Sequence, residues 1–312
     1  GTARIWDTTT GDNTLTLTNA HTVTAVAWSP DRTRILTACA DGTARIWDAT
    51  TGNNTLTLTN TNSVTTATWS PDSTHILTGT RDGAAYIWDA TTGNNTLTLT
   101  LIPTSTIEAM ACSPDSTHIF TAFADGTAHV WDATTGNNTL TLALIHDAET
   151  KEVAWSPNGH YILTASANGT AHVWDATTGD NTLTFTLTTN SVIEAMAWSP
   201  DGTHFLTGTR DGAAQVWDAA TGENTLTLTH NTWARAVAWS PKGRHILTGS
   251  GDGTARIWDA TTGNNTLTLT HNAWLTTAAW SPNGHYILSA SEDGAAHIWD
   301  ATTGDNTLTF TL

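Results

Sequence analysis

Over 312 residues the chain carries 38% hydrophobic residues, 16 Trp and a net charge of −17, enough apolar material for a sizeable core and, on length alone, about two domains. No apolar run approaches the roughly 18 residues a membrane span needs. Two Lys and nine scattered Arg form no basic stripe for phosphate-driven binding, so neither membrane nor nucleic acid is an expected partner.

Eight Trp-Asp pairs recur at intervals of 41 or 43 residues: Trp6-Asp7, Trp47-Asp48, Trp88-Asp89, Trp131-Asp132, Trp174-Asp175, Trp217-Asp218, Trp258-Asp259 and Trp299-Asp300. A period near 40 marks an array in which each repeat is one small sheet that must stack on its neighbours. Residues 1–18 hold only the last two strands of the unit. Seven full units follow at 19–59, 60–100, 101–143, 144–187, 188–229, 230–270 and 271–312, with Ser-Pro turns at Ser29, Ser70, Ser113, Ser156, Ser199, Ser240 and Ser281. The unit 230–270 shows the pattern. Trp233–Trp239 reads as an inner strand, His245–Ser250 as a second, Thr254–Trp258 as a third and Thr266–Thr270 as an outer one. Each is bounded by Gly, Pro, Asn or Asp turn chemistry. Four short antiparallel strands per repeat make a propeller blade. The expected fold is therefore all-β: one β-propeller domain over 1–312, seven-bladed, with a surplus N-terminal half blade. An eight-bladed ring with one incomplete blade is the alternative. The surplus pair could replace its C-terminal equivalent, pack outside, or join another chain.

The Ser-Pro turn, the Asp-Gly turn and the Trp-Asp pair, in that order over essentially the whole chain, resemble the WD-repeat β-propeller family, especially its highly internally repetitive members. The resemblance implies the seven-bladed ring usual in that family. It also implies a buried tetrad in each blade of a His before the first strand, a second-strand Ser or Thr, the turn Asp and the third-strand Trp. One blade offers His230, Thr248, Asp252 and Trp258, and the last offers His271, Ser289, Asp293 and Trp299. The other five depart from the pattern. Asn19 and Asn60 hold the His station in two, two have no His there, and the blade with His146 replaces the turn Asp by Asn168. The full network is expected in two blades only.

Near-copies reveal where they differ. Five residues before each Ser-Pro serine stand Thr24, Thr65, Glu108, Lys151, Glu194, Arg235 and Thr276; two residues earlier stand Thr22, Ser63, Thr106, Glu149, Val192, Trp233 and Trp274. Before the turn Asp or Asn stand Ala40, Arg81, Ala124, Ala167, Arg210, Gly251 and Glu292. Strand order puts these three stations on one rim, and the family resemblance implies partner binding there. Trp233, Arg235 and Trp274 are expected to anchor a protein or peptide, since Trp and Arg dominate interface energetics; local packing of the two indoles is the plainer alternative. A second sector with Glu108, Asp147, Glu149, Glu152 and Glu194 against Lys151 is expected to form an acidic wall favouring basic side chains. Arg81 and Arg210 complete the expected rim.

No catalytic residues, cofactor or metal site is read. Recurrent histidines (His75, His118, His204 and His245 on the second strand; His129, His172 and His297 on the third) fall one per blade, too far apart to share a tetrahedral metal with ligands at about 2 Å. Ser, His and Asp are accounted for by the tetrad, and the Asp-Gly and Thr-Thr-Gly steps are turns rather than phosphate loops. Cys39 and Cys112 stand at different stations, so no disulfide is expected and a reducing compartment such as the cytoplasm fits. Cys112 replaces the Trp before the Ser-Pro turn, a loss of a few kcal/mol if a void remains, with Phe120 and Phe123 expected to compensate. The uncharged Thr-Leu-Thr-Leu outer strands lack the usual guards of an exposed edge. Self-assembly through those edges or the half blade is therefore the rival to a binding scaffold, with a Lys at Leu269 as its probe.

Overall fold

Short runs of β-branched and aromatic residues between Gly and Pro turns have no choice but to extend. The computed structural model describes residues 1–100, 105–143, 150–166, 168–186 and 191–311. Among these residues the strands run five or six residues each and form seven four-stranded antiparallel sheets and one two-stranded sheet. The fold is an all-β propeller. In the sixth blade Ala234–Trp239, His245–Ser250, Thr254–Asp259 and Asn265–Thr270 pair in sequence order. The chain falls into two compact units: Gly1–Asp7, Asp12–Trp155 and Thr177–Gly179 in one, Thr8–Gly11, Ser156–Ala176 and Asp180–Leu312 in the other.

Two local devices shape every blade. The Trp-Asp turn is tied by its carboxylate: Asp259 Oδ1 accepts from the Thr261 and Thr262 amides (3.0 and 2.8 Å) and the Thr262 hydroxyl (2.9 Å). These bonds, the Thr262 backbone bond foremost, hold the Asp259 carboxyl below its ordinary range. Beyond the turn, a bulge between Ile257 and Trp258 leaves Thr266 without a ladder partner. Its hydroxyl instead donates to the Ile257 carbonyl at 3.1 Å, and Thr14, Thr55 and Thr96 repeat the bond.

Blades dock through the turn glycine. Gly93 takes φ 71°, and a Cβ there would lie 3.2 Å from Leu56 Cδ2 of the preceding outer strand. Gly136 meets Leu99, Gly263 meets Leu226 and Gly304 meets Leu267 in the same way. The outer-strand leucines are therefore covered while the threonines face solvent. Leu269 is 1% exposed, so a Lys there would break the core and cannot serve as the probe of edge assembly.

The surplus strand pair forms its own sheet and does not displace the C-terminal pair, which completes the last blade. Leu17 of the half blade packs with Ile35 and Trp47 of the first full blade. On the first full blade's inner strand Val26 is 59% and Trp28 52% exposed, whereas Trp69, one blade on, is 5% exposed against Ala25 and Ala27. In the other unit Leu247 is buried under Leu275 and Ala278 of the following inner strand, and Leu288 is 45% exposed.

The third-strand indole donates to the second-strand hydroxyl in all seven full blades, Trp47 to Thr37 at 2.8 Å through Trp299 to Ser289 at 2.8 Å. His230 completes the network in the sixth. Its Nε2 lies 2.6 Å from Thr248 Oγ1 and its Nδ1 3.5 Å from Asp252. A carboxylate only accepts, so Nδ1 carries the proton, Thr248 donates to Nε2, and Trp258 donates to Thr248. In the last blade His271 meets Ser289 at 2.6 Å but reaches Asp293 only through Ser291, at 3.1 and 2.6 Å. Asn19 and Asn60 serve as histidine substitutes, accepting from Thr37 (3.0 Å) and Thr78 (2.6 Å). Asn168 keeps the turn by accepting from Ser166 and Thr170; His146 lies outside the described residues.

Phe120 and Phe123 are buried, yet they do not fill the space left by the missing indole. A cavity of about 200 Å³ borders Cys112. The expected compensation is absent because both phenylalanines project from the second strand and neither lines that space.

Burial, with Arg256 second, lowers the His230 imidazole from 6.5 to about 4, and burial with His297 lowers His271 to about 4. A lowered folded pKa favours the neutral form, so this stability is complete above pH 6.5 and drains away as pH falls from 6.5 towards 4. It amounts to roughly 3 kcal/mol for each. In thermal melts at pH 7 and pH 5, His230→Asn with His271→Asn is expected to lose less stability on acidification than the parent; equal losses would exclude these two imidazoles.

Candidate functional site

The three variable stations meet by backbone hydrogen bonding. The amide before the turn Asp donates to the carbonyl of the loop residue in blade after blade: Ala40 to Thr22, Arg81 to Ser63, Ala124 to Thr106, Arg210 to Val192, Gly251 to Trp233 and Glu292 to Trp274, all at 2.9–3.0 Å. The third station is the second residue of the inner strand, two residues beyond the loop residue. The fold thus sets variable side chains at one height on each blade and leaves their chemistry free.

Within the second unit they form a ladder across three blades. Glu194 accepts from Arg210 Nε at 2.7 Å. The Arg210 guanidinium lies 4.4 Å from the Trp233 ring centre, and Arg235 lies 5.0 Å from Trp233 and 5.6 Å from Trp274. Arg235 Nη1 then donates to Glu292 at 3.0 Å. Trp233 is half-buried, while Trp274 is 55% exposed. Trp233, Arg235 and Trp274 are brought together as the sequence suggests, and Arg210 joins them.

The acidic residues fall differently. Glu194 belongs to the ladder and is neutralised by Arg210. Glu108 and Glu152 sit half-buried on strands of the first unit, and Arg81 is exposed in that unit. Glu149 and Asp147 lie outside the described residues, as does the side chain of Lys151. Glu292 was missed as a partner of the site. Its signal was available: it occupies the same variable station as Arg210, one blade beyond Arg235.

The ladder offers an exposed indole, two guanidiniums held in place, and balanced charge. Stacked and paired arginines have already lost side-chain freedom, which lowers the entropy cost of docking against them. Both carboxylates of the ladder, Glu194 and Glu292, are paired with guanidiniums. The recurrent third-strand histidines serve packing: His129 and His172 lie 5.6 and 5.4 Å from their own blade's Trp and pair with Asn138 and Asn181, and burial lowers both pKa values. Among the described residues no group of three or more His, Cys, Asp or Glu could hold a metal.

Comparison with known families gives two matches. The WD domain, G-beta repeat model matches residues 11–48, 52–89, 95–132 and 143–175. The model of eukaryotic translation initiation factor eIF2A matches residues 166–299. No curated protein matches. Among solved structures, the crystal structure of the computationally designed Ika8 protein is similar at 26% identity and a TM-score of 0.83, covering 94% of this chain and 88% of that one.

Exposed cation–π contacts are worth about 0.5–1 kcal/mol each and surface ion pairs about 0–1 kcal/mol. Arg235→Ala is therefore expected to lower the unfolding midpoint by no more than about 4 °C. A drop above 10 °C would show Arg235 to be a structural support.

Proposed function

The chain is a WD-repeat β-propeller protein, and from that premise we propose that it is a non-catalytic scaffold that binds a protein or peptide on the Trp233–Arg235–Trp274 ladder. WD-repeat propellers generally mediate protein interactions and are generally non-catalytic. The observation that carries the reading is that rim stations at which the near-copies differ are joined by backbone hydrogen bonds, and that across three blades they alternate two arginines with two indoles in the order Arg210, Trp233, Arg235, Trp274. Trp274 is the anchor, exposed and flanked by Arg235. A partner carboxylate can take the place of Glu292 on Arg235, releasing the Glu292 carboxylate, 49% exposed, to solvent. The eIF2A match spans every residue of the ladder, so a component of the translation machinery is one partner class to test.

The second reading is a building block that joins other copies. What favours it is a pair of exposed apolar side chains on the first full blade's inner strand, Val26 and Trp28; the outer edges, with their leucines covered, favour it less.

Panning a random peptide display library on the protein tests the first reading. Enriched peptides are expected to lose about 30-fold in affinity for Trp274→Ala, the loss typical of an interface anchor, and all binding to the Trp233→Ala, Arg235→Ala, Trp274→Ala variant. Undiminished binding to the triple variant would sink the ladder. Light scattering over a concentration series tests the second: oligomers that dissolve with Trp28→Arg but persist with Thr268→Lys would support assembly through Val26 and Trp28, and a monomer at every concentration would exclude it.

A further inference from the structure

The cavity beside Cys112 has the position of a side chain that neighbouring blades possess. The Trp before the Ser-Pro turn normally packs against the second-strand residue that opens the strand in the preceding blade. Trp239 lies 6.4 Å from the His204 ring, Trp280 lies stacked 6.5 Å from His245, and Trp69 lies under Arg34 at 4.9 Å. Between the second and third blades the histidine remains, as His75, but its partner is Cys112. The result is a cavity of about 200 Å³, with Leu77, Ile87 and Ile119 as an apolar floor and His75 and Cys112 as walls. Asp72 and Ser116 stand among its polar borders.

We propose that this cavity binds a small planar aromatic molecule of indole size, in the place where the other blades seat their own tryptophan. The size is appropriate, since apolar cavities near 150 Å³ take up benzene. The floor is dry, with Leu77 and Ile119 each 1% exposed, and His75 supplies the ring against which an aromatic stacks. The Nε1 atoms of Trp239 and Trp280 are buried without a hydrogen-bond acceptor. Trp69 at the same station donates its Nε1–H to the Ala27 carbonyl at 3.3 Å, so the station takes the ring with or without a partner for its N–H. Burial, with Asp72 and Asp115 behind it, pushes the Cys112 thiol up to about 12, so that wall is neutral and unreactive at physiological pH.

The ring can arrive as a free small molecule or as a tryptophan side chain on a peptide, and two probes separate these: indole and N-acetyltryptophanamide. Calorimetric titration and thermal unfolding are run on the full chain. Indole is expected to bind at one site and, at ten times its Kd, to raise the unfolding midpoint by about 2 °C or more. Cys112→Ala keeps the cavity and must keep binding; Cys112→Trp and Cys112→Phe fill it and must lose binding. Binding of N-acetyltryptophanamide as well assigns the site to a peptide-borne ring, and binding of indole alone assigns it to a free ligand. Should Cys112→Trp fail to fold, the phenylalanine variant decides. No indole binding, or equal binding to the filled variants, overturns the proposal.

Discussion

Each blade is organised by one buried hydrogen bond, from the third-strand indole to the second-strand hydroxyl. A propeller sheet is covered on both faces, so its side chains must be apolar or satisfied. The tryptophan brings the area needed to fill the wedge between sheets and, with it, an N–H that cannot be left alone. Thr248, fully buried, answers it and then needs an acceptor for its own proton, which His230 supplies. Residues from two strands and the loop before the inner strand thereby depend on one another. Asparagine does the same work at Asn19 and Asn60, so the requirement is for an acceptor at that point, whatever side chain provides it.

With the leucines and indoles of the interior so constrained, the copies differ at the rim ends of strands and at mid-strand stations such as Arg45, Tyr86, His129 and Gln215. The rim residues are held at their backbones and released at their side chains. This combination lets an arginine of one blade fall over a tryptophan of the next without any loop having to fold for the purpose. The fold itself excludes little about function: 1948 chains of solved structures match it, and propellers host many roles. What is individual to this chain is the ladder and the cavity, and both arise where a copied unit departs from its neighbours.

The strand order, the half blade, the indole–hydroxyl pairs and the gathering of Trp233, Arg235 and Trp274 were legible because each repeats or interrupts a period. Features that depend on what lies across a blade boundary were not. Leu269 reads as an edge residue along its own strand, and only the docking of Gly304 beyond it, near Leu267 and Leu269, accounts for its burial. Phe120 and Phe123 read as fillers by volume, but volume is useful only in the right place, and the space at Cys112 opens towards His75 of the previous blade. Asp293 reads as a direct partner of His271, yet Ser291, two residues before it, intercepts the contact. Pairwise chemistry was readable, and its geometry across sheets was not.

The seam between a turn glycine and the leucines before it is chemically the same at Gly93, Gly136, Gly263 and Gly304. Nothing in such a seam tells one blade from another, so covalent order alone decides which neighbours meet. Recombination that added or removed one whole unit would leave every surviving seam intact, and the array could change its length without any new interface having to evolve. The same interchangeability acts against the nascent chain, in which a blade can dock on the wrong partner with nearly native contacts, the failure characteristic of repeat proteins. Differences among blades at the His station and at Cys112 are thus also the marks by which otherwise identical units can be told apart during folding.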